Sequence, residues 1–145
     1  MDLNALRKNV GPDHRALFPC YRTDDVEAAY AEHKRRVLAT YESLEDFILY
    51  TVFKCSGSQQ ANGRMRSLRC EAHPWAFTEN PFPYDIAAEL EHWILWSRSS
   101  REDLPRAARL IRDNFGDAVW FVNTSNNKSV PGLFHCHVFC EKMRL

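Results

Sequence analysis

Ala118–Lys142 reads AVWFVNTSNNKSVPGLFHCHVFCEK, two apolar runs joined by a polar loop. Val119–Val122 is β-branched and aromatic, a composition that favours a strand. Asn123–Lys128 is rich in Asn, Thr and Ser, whose side chains bond to nearby backbone and stabilise turns. Pro131-Gly132 punctuates the return, and Leu133–Cys140 reads as a second strand. Alternate side chains of a strand share a face. His135, His137 and Phe139 therefore point one way, and Phe134, Cys136, Val138 and Cys140 the other. Two imidazoles about 7 Å apart beside a polar loop suit an anion or a metal. The same spacing also fits the half-exposed face of an edge strand. Lys128 and Ser129, ahead of the histidines, favour an anion, because an ammonium, a hydroxyl and backbone amides together hold phosphate.

Working outward, Leu90–Ser97 (LEHWILWS) is the clearest strand, with His92, Ile94 and Trp96 on one face and Trp93 and Leu95 on the other. Glu102-Asp103 with Pro105 starts a helix that Gly116 closes after Phe115. Its buried stripe is Leu104, Ala108, Leu110 and Ile111. Met65–Glu71 and Trp75–Thr78 read as shorter strands. Upstream, Asp24-Asp25 stands where an N-cap belongs, and Val26–Thr40 keeps helical spacing. Ser43-Leu44-Glu45-Asp46 resembles a capping box, opening a second helix from Leu44 to about Phe53. Ser56–Gly63 (SGSQQANG) reads as a loop. The expected architecture is a single α+β domain: an extended lead-in over 1–22, a helical hairpin over 24–55, and an antiparallel sheet with a crossover helix over 64–145.

Composition narrows the function. With 145 residues the chain can bury one core without staples. The formal charge of zero argues against a protein that grips a nucleic-acid backbone, although Lys54, Arg64, Arg66 and Arg69 form a local basic run. Five cysteines, an odd number without a CxxC pair, fit a reducing, cytoplasmic compartment. A zinc site from Cys136, Cys140 and the histidines is disfavoured, because strand alternation separates thiols from imidazoles. No signal-peptide core and no membrane-length apolar run is present, so an intracellular protein without a membrane partner is expected.

The ordered pieces Asn80-Pro81-Phe82-Pro83, His92 in EHWILW, the helix Leu104–Phe115, Asn123, Lys128-Ser129-Val130-Pro131 and His135-Cys136-His137-Val138 resemble the histidine-triad (HIT-like) superfamily of nucleotide hydrolases and transferases. A wider resemblance, through NPFPYDI, EHWILW, WFVN, KSVP and HCHVF, is to the fungal N-acetylglucosamine-induced protein family, a domain of unknown function. The first resemblance implies that His135 attacks phosphorus to give a covalent nucleotidyl-imidazole. It implies that His137 and His92 orient it, and that Asn123, Lys128 and Ser129 hold phosphate oxygens. The implied ligand is a nucleotide or sugar phosphate, with no cofactor and no metal, and homodimers are common in that superfamily. Leu133 and Phe139 depart from the pattern: in either register one histidine of the triad is missing. The alternatives to catalysis are a binding module, with Phe82, Tyr84, Trp93 and Trp96 as candidate stacking groups, and a structural protein whose histidines lie on a solvated strand face.

Overall fold

The histidine-bearing strand lies inside the sheet, not at its edge. In a computed structural model, which describes residues 1–68, 73–124, 128 and 130–142, four strands form one antiparallel-paired sheet. Numbered in chain order after a small hairpin (β1, Gly57–Gln59; β2, Met65–Ser67), they are β3 (Trp75–Glu79), β4 (Leu90–Ser97), β5 (Val119–Phe121) and β6 (His135–Glu141). Their order is β3-β4-β6-β5, so β6 pairs on both sides. Ile94 faces His137 and Trp96 faces His135 across the β4–β6 pair. The edge-strand expectation for the two histidines is thereby corrected: His135 is 6% exposed and His137 4%.

Alternation then builds two layers. Leu95, Trp120, Val122, Phe134, Cys136 and Val138 pack on one face against a helix (Leu104–Phe115), which connects β4 to β5 past β6. Asp103 caps that helix by accepting from the Arg106 amide at 3.1 Å. Gly116 ends it at φ 67°, a conformation that suits glycine. Ala107, outside the expected stripe, is among its buried residues.

The opposite face carries the histidines and is covered by the N-terminal elements. These are α1 (Leu3–Lys8), α2 (Asp24–Thr40) and α3 (Leu44–Thr51), with Leu104–Phe115 as α4. Ser43 caps α3 by accepting from the Asp46 amide at 3.1 Å and donates its hydroxyl proton to the Asp46 carboxylate at 2.7 Å. Asp46 in turn accepts from the Ser67 amide at 2.8 Å, tying α3 to β2.

Two expected segments differ. Residues 1–22 are not simply extended. Asp2 caps α1 through the Ala5 amide at 2.8 Å, Arg7 and Lys8 sit in its last turn, and Leu6 is fully buried. Six residues are too few to reveal periodicity, and burial of Leu6 supplies what propensity does not. Beyond α1 the chain docks on the free side of β5, the Val122 amide donating to the His14 carbonyl at 2.7 Å and the Ala16 amide to Val122 at 2.9 Å. The anticipated loop at Ser56–Gly63 contains β1, which returns to β2 through a turn with Gly63 at φ 84°. Its polar residues gave no alternation to read. Arg69 and Cys70 lie outside the described residues. Cys20, Cys136 and Cys140 are free thiols, whereas Cys55 is disulfide-bonded. Among the described residues no helix is long and apolar enough to cross a membrane.

The burial of Leu6 makes the N-terminus part of the core. Leu6→Ala is expected to cost about 2–5 kcal/mol of unfolding free energy. Leu17→Ala, at a half-exposed position, should stay within about 0.5 kcal/mol. Urea titrations of the two variants against the parent check the contrast.

Candidate functional site

A cavity of about 300 Å³ lies between the histidine face of the sheet and the two helices α2 and α3. The sheet contributes Thr78, Ile94, Trp96, His135 and His137, and the turn after β3 adds Asn80, Phe82 and Tyr84. The helices contribute Tyr30, His33, Phe47, Ile48 and Thr51, and Arg22 enters from the segment ahead of α2.

The wall is held by one hydrogen-bond chain whose proton positions can be deduced. The Tyr84 amide donates to His92 Nδ1 at 3.2 Å. Asn80 accepts the Phe82 amide through Oδ1 at 2.9 Å, which leaves its Nδ2 beside the His92 ring, 3.4 Å from Nδ1 and 3.5 Å from Nε2. With the Tyr84 amide donating to Nδ1, neutral His92 carries its proton on Nε2. That proton is donated to His137 Nδ1 at 2.8 Å. His137 must then hold its own proton on Nε2, which lies 3.1 Å from the Asn123 carboxamide. The same carboxamide atom, placed as Nδ2, is 2.7 Å from the Tyr84 hydroxyl. A half-turn exchanges amide oxygen and nitrogen, and the proton on His137 selects the orientation in which Oδ1 accepts from both groups.

Burial keeps this chain neutral. Desolvation pushes His92 down to about 3, and the Arg22 charge adds to the shift. His137 is lowered well below the usual imidazole range, first by desolvation and then by His92, His135 and Arg22. Burial likewise raises the Tyr84 phenol. Phe139 stacks on His92 at 4.5 Å between ring centres and Tyr84 on His137 at 5.2 Å, which fixes the ring planes.

His135 is arranged differently. Its Nδ1 donates to the Leu133 carbonyl at 2.9 Å, and its ring sits 4.8 Å from that of Trp96. Nδ1–H bound to a carbonyl leaves the lone pair on Nε2. That atom has no hydrogen-bond partner among the described residues, and the residue lines the cavity. Desolvation lowers His135, opposed by the bond to Leu133. It is therefore a neutral base with an available lone pair, and His137, engaged at both nitrogens, is not.

The six site residues expected from sequence separate here. His92, His135, His137 and Asn123 converge. Asn123 lines the cavity, but its carboxamide is engaged with His137 and Tyr84. Lys128 is not in the lining and pairs with Glu102 at 3.6 Å. Ser129 lies outside the described residues. Of the stacking candidates, Phe82, Tyr84 and Trp96 line the cavity. Trp93 does not: it packs on the α4 face and donates to Glu91 at 2.7 Å. Among the described residues no group of three metal-ligating side chains is placed to hold an ion.

Arg22 was not visible as a site residue. Nothing local marks it, because the aromatic rings that hold it are distant in sequence. Its guanidinium lies 4.1 Å from the Tyr30 ring centre and 5.1 Å from that of Tyr84, and Nε donates to the Phe82 carbonyl at 2.8 Å.

The family model for a protein of unknown function, DUF3605, matches residues 13–115. The chain belongs to this family. The match in DUF3605 spans Arg22, Asn80, Tyr84 and His92 and stops before Asn123, His135 and His137. An uncharacterised protein of Saccharomyces cerevisiae, YPL067C, is 24% identical over 81% of this chain and 68% of its own length. The crystal structure of HTC1 is similar in fold, with a TM-score of 0.55 and 21% identity over 86% of this chain and 77% of that one.

The neutral chain sets a pH dependence. A histidine whose folded pKa lies below its unfolded value of about 6.5 contributes stability that is complete above that value and is lost as the pH falls. For His92 the window runs from about 6.5 down to about 3. Unfolding free energy should be flat above the window and fall within it by about 1.4 kcal/mol per pH unit for each such histidine. Urea titrations between pH 7 and pH 4, against His92→Gln, check the slope.

Proposed function

We propose that the protein is a HIT-like nucleotide or sugar-phosphate hydrolase or transferase in which His135 Nε2 attacks phosphorus. The observation that carries this reading is the lone pair of a buried, neutral His135 facing a cavity, with Nδ1–H fixed on the Leu133 carbonyl. The N-acetylglucosamine-induced resemblance is compatible with DUF3605 membership.

In the first step the P–Nε2 bond forms as the bond from phosphorus to its leaving group breaks. The imidazole becomes an N-phosphoryl imidazolium. Its positive charge is stabilised by Nδ1–H on Leu133, so the residue at the missing triad position acts through its carbonyl. In the second step water or another acceptor hydroxyl attacks phosphorus, the P–Nε2 bond breaks, and the acceptor's proton passes to solvent. Neither Leu133 nor Phe139 donates a proton to the leaving group. Substrates whose leaving group departs as a phosphate, such as nucleotide sugars and nucleoside polyphosphates, fit best. The cavity is at the small end of ligand sites, suited to one mononucleotide unit. A second reading, binding without turnover, is favoured by the same absence of a third histidine.

Incubation with phosphoramidates, dinucleoside polyphosphates, nucleotide sugars and cap analogues, with products read by mass, tests the proposal. The parent should release a nucleoside monophosphate, and folded His135→Ala should lose at least about 100-fold in rate. Equal turnover by the variant overturns the role of His135. Silence across the panel, with saturable binding retained, supports the second reading.

A further inference from the structure

The cavity has an electropositive pole that the histidines do not supply. The Arg22 side chain is only 14% exposed, yet its one carboxylate contact among the described residues is Glu27, at 3.5 Å and itself 55% exposed. A guanidinium carries five donors, and here Nε is committed to Phe82 and Nη1 makes the long contact to Glu27. Nη2 has no partner among the described residues, although the residue lines the cavity. A largely buried cation calls for an anion at close range. Lys34 adds a second cation on the same aromatic group, 4.5 Å from the Tyr30 ring centre. Contact with the Tyr30 and Tyr84 rings, together with the Nε bond to Phe82, holds the guanidinium at the cavity before a ligand arrives. The field of Arg22 already reaches His92 and His137, whose charged forms it disfavours. Meanwhile Lys128, the cation expected from sequence, is drawn to Glu102.

We infer that Arg22 is the phosphate-binding residue of this cavity, its Nη groups gripping the phosphate of a mononucleotide-sized ligand. This rests on the reading of the cavity as a phosphate-ester site, and it replaces Lys128 as the source of positive charge. A planar fork matches two phosphate oxygens at once, which an ammonium does not.

Calorimetric titration with AMP, adenosine and inorganic phosphate tests it on the parent, Arg22→Ala, Arg22→Lys and His135→Ala. The parent should bind AMP more tightly than adenosine, with inorganic phosphate competing. Arg22→Ala should lose roughly 10- to 100-fold in AMP affinity and leave adenosine unchanged. Arg22→Lys should fall between, and His135→Ala, which keeps Arg22, should keep the preference for AMP over adenosine. Unchanged AMP affinity in Arg22→Ala overturns the inference, as does an equal loss for AMP and adenosine, which would mark Arg22 as a support for the Phe82 turn. A parent that binds neither AMP nor inorganic phosphate also overturns it. Turnover lost in His135→Ala alongside any of these results would leave the nucleophile reading standing.

Discussion

The 2.8 Å hydrogen bond between His92 and His137 is the constraint on which the rest of this structure depends. Both rings are buried in an apolar layer, where an unpaired imidazole nitrogen would be costly. The bond is possible only if β4 and β6 are neighbours in one register and each ring carries a single defined proton. The register follows from the β4–β6 pairing, and the protons from the Tyr84 amide, whose donation to His92 sets the chain that ends on Asn123. A slip of one residue would turn His92 and His137 to opposite faces and bury unsatisfied nitrogen on both. The turn carrying Asn80 and Tyr84 is held to the same bond, because Tyr84 contributes its amide to one histidine and its hydroxyl to the partner of the other.

That arrangement divides labour between two histidines spaced two residues apart. His137 is saturated and serves as framework, whereas His135 is bonded at one nitrogen only and retains a lone pair. The difference lies in what each ring faces. His137 meets His92 and Asn123, and His135 meets a backbone carbonyl and Trp96. Leu133 and Phe139, two residues before His135 and two after His137, are built into the core. Leu133 joins the cluster beneath α3, and Phe139 stacks on His92. These two apolar side chains thus pack on either side of the histidine pair.

The helical segment explains itself through the same face. A sheet with buried histidines needs a cover, and α2 and α3 supply it while leaving room for a cavity. They bring Tyr30 and His33 to its lining, and the segment ahead of α2 brings Arg22. The cation of the cavity therefore comes from the N-terminal third of the chain, and the imidazole bonded at one nitrogen only from the C-terminal strand.

Local pattern was enough to place β4 at Leu90–Ser97, α4 at Leu104–Phe115 with its Asp103 and Gly116 ends, the Ser43 cap, and the alternation that puts His135 and His137 on one face of their strand, whereas only the β4–β6 pairing brings His92 to the same side. These features depend on periodicity and capping, which are properties of adjacent residues. Sequence did not reveal that β6 is interior, because edge and central strands share the same alternation and only pairing on both sides distinguishes them. It gave α1 no visible signature, since so short a helix is stabilised by burying Leu6 and not by its own propensity. It placed the positive charge at Lys128 because that residue is near the histidines along the chain, while Glu102 draws it aside and Arg22 reaches the cavity from more than a hundred residues upstream. Proximity along the chain and proximity in space diverge wherever a strand crosses over, and the cavity is assembled across that divergence.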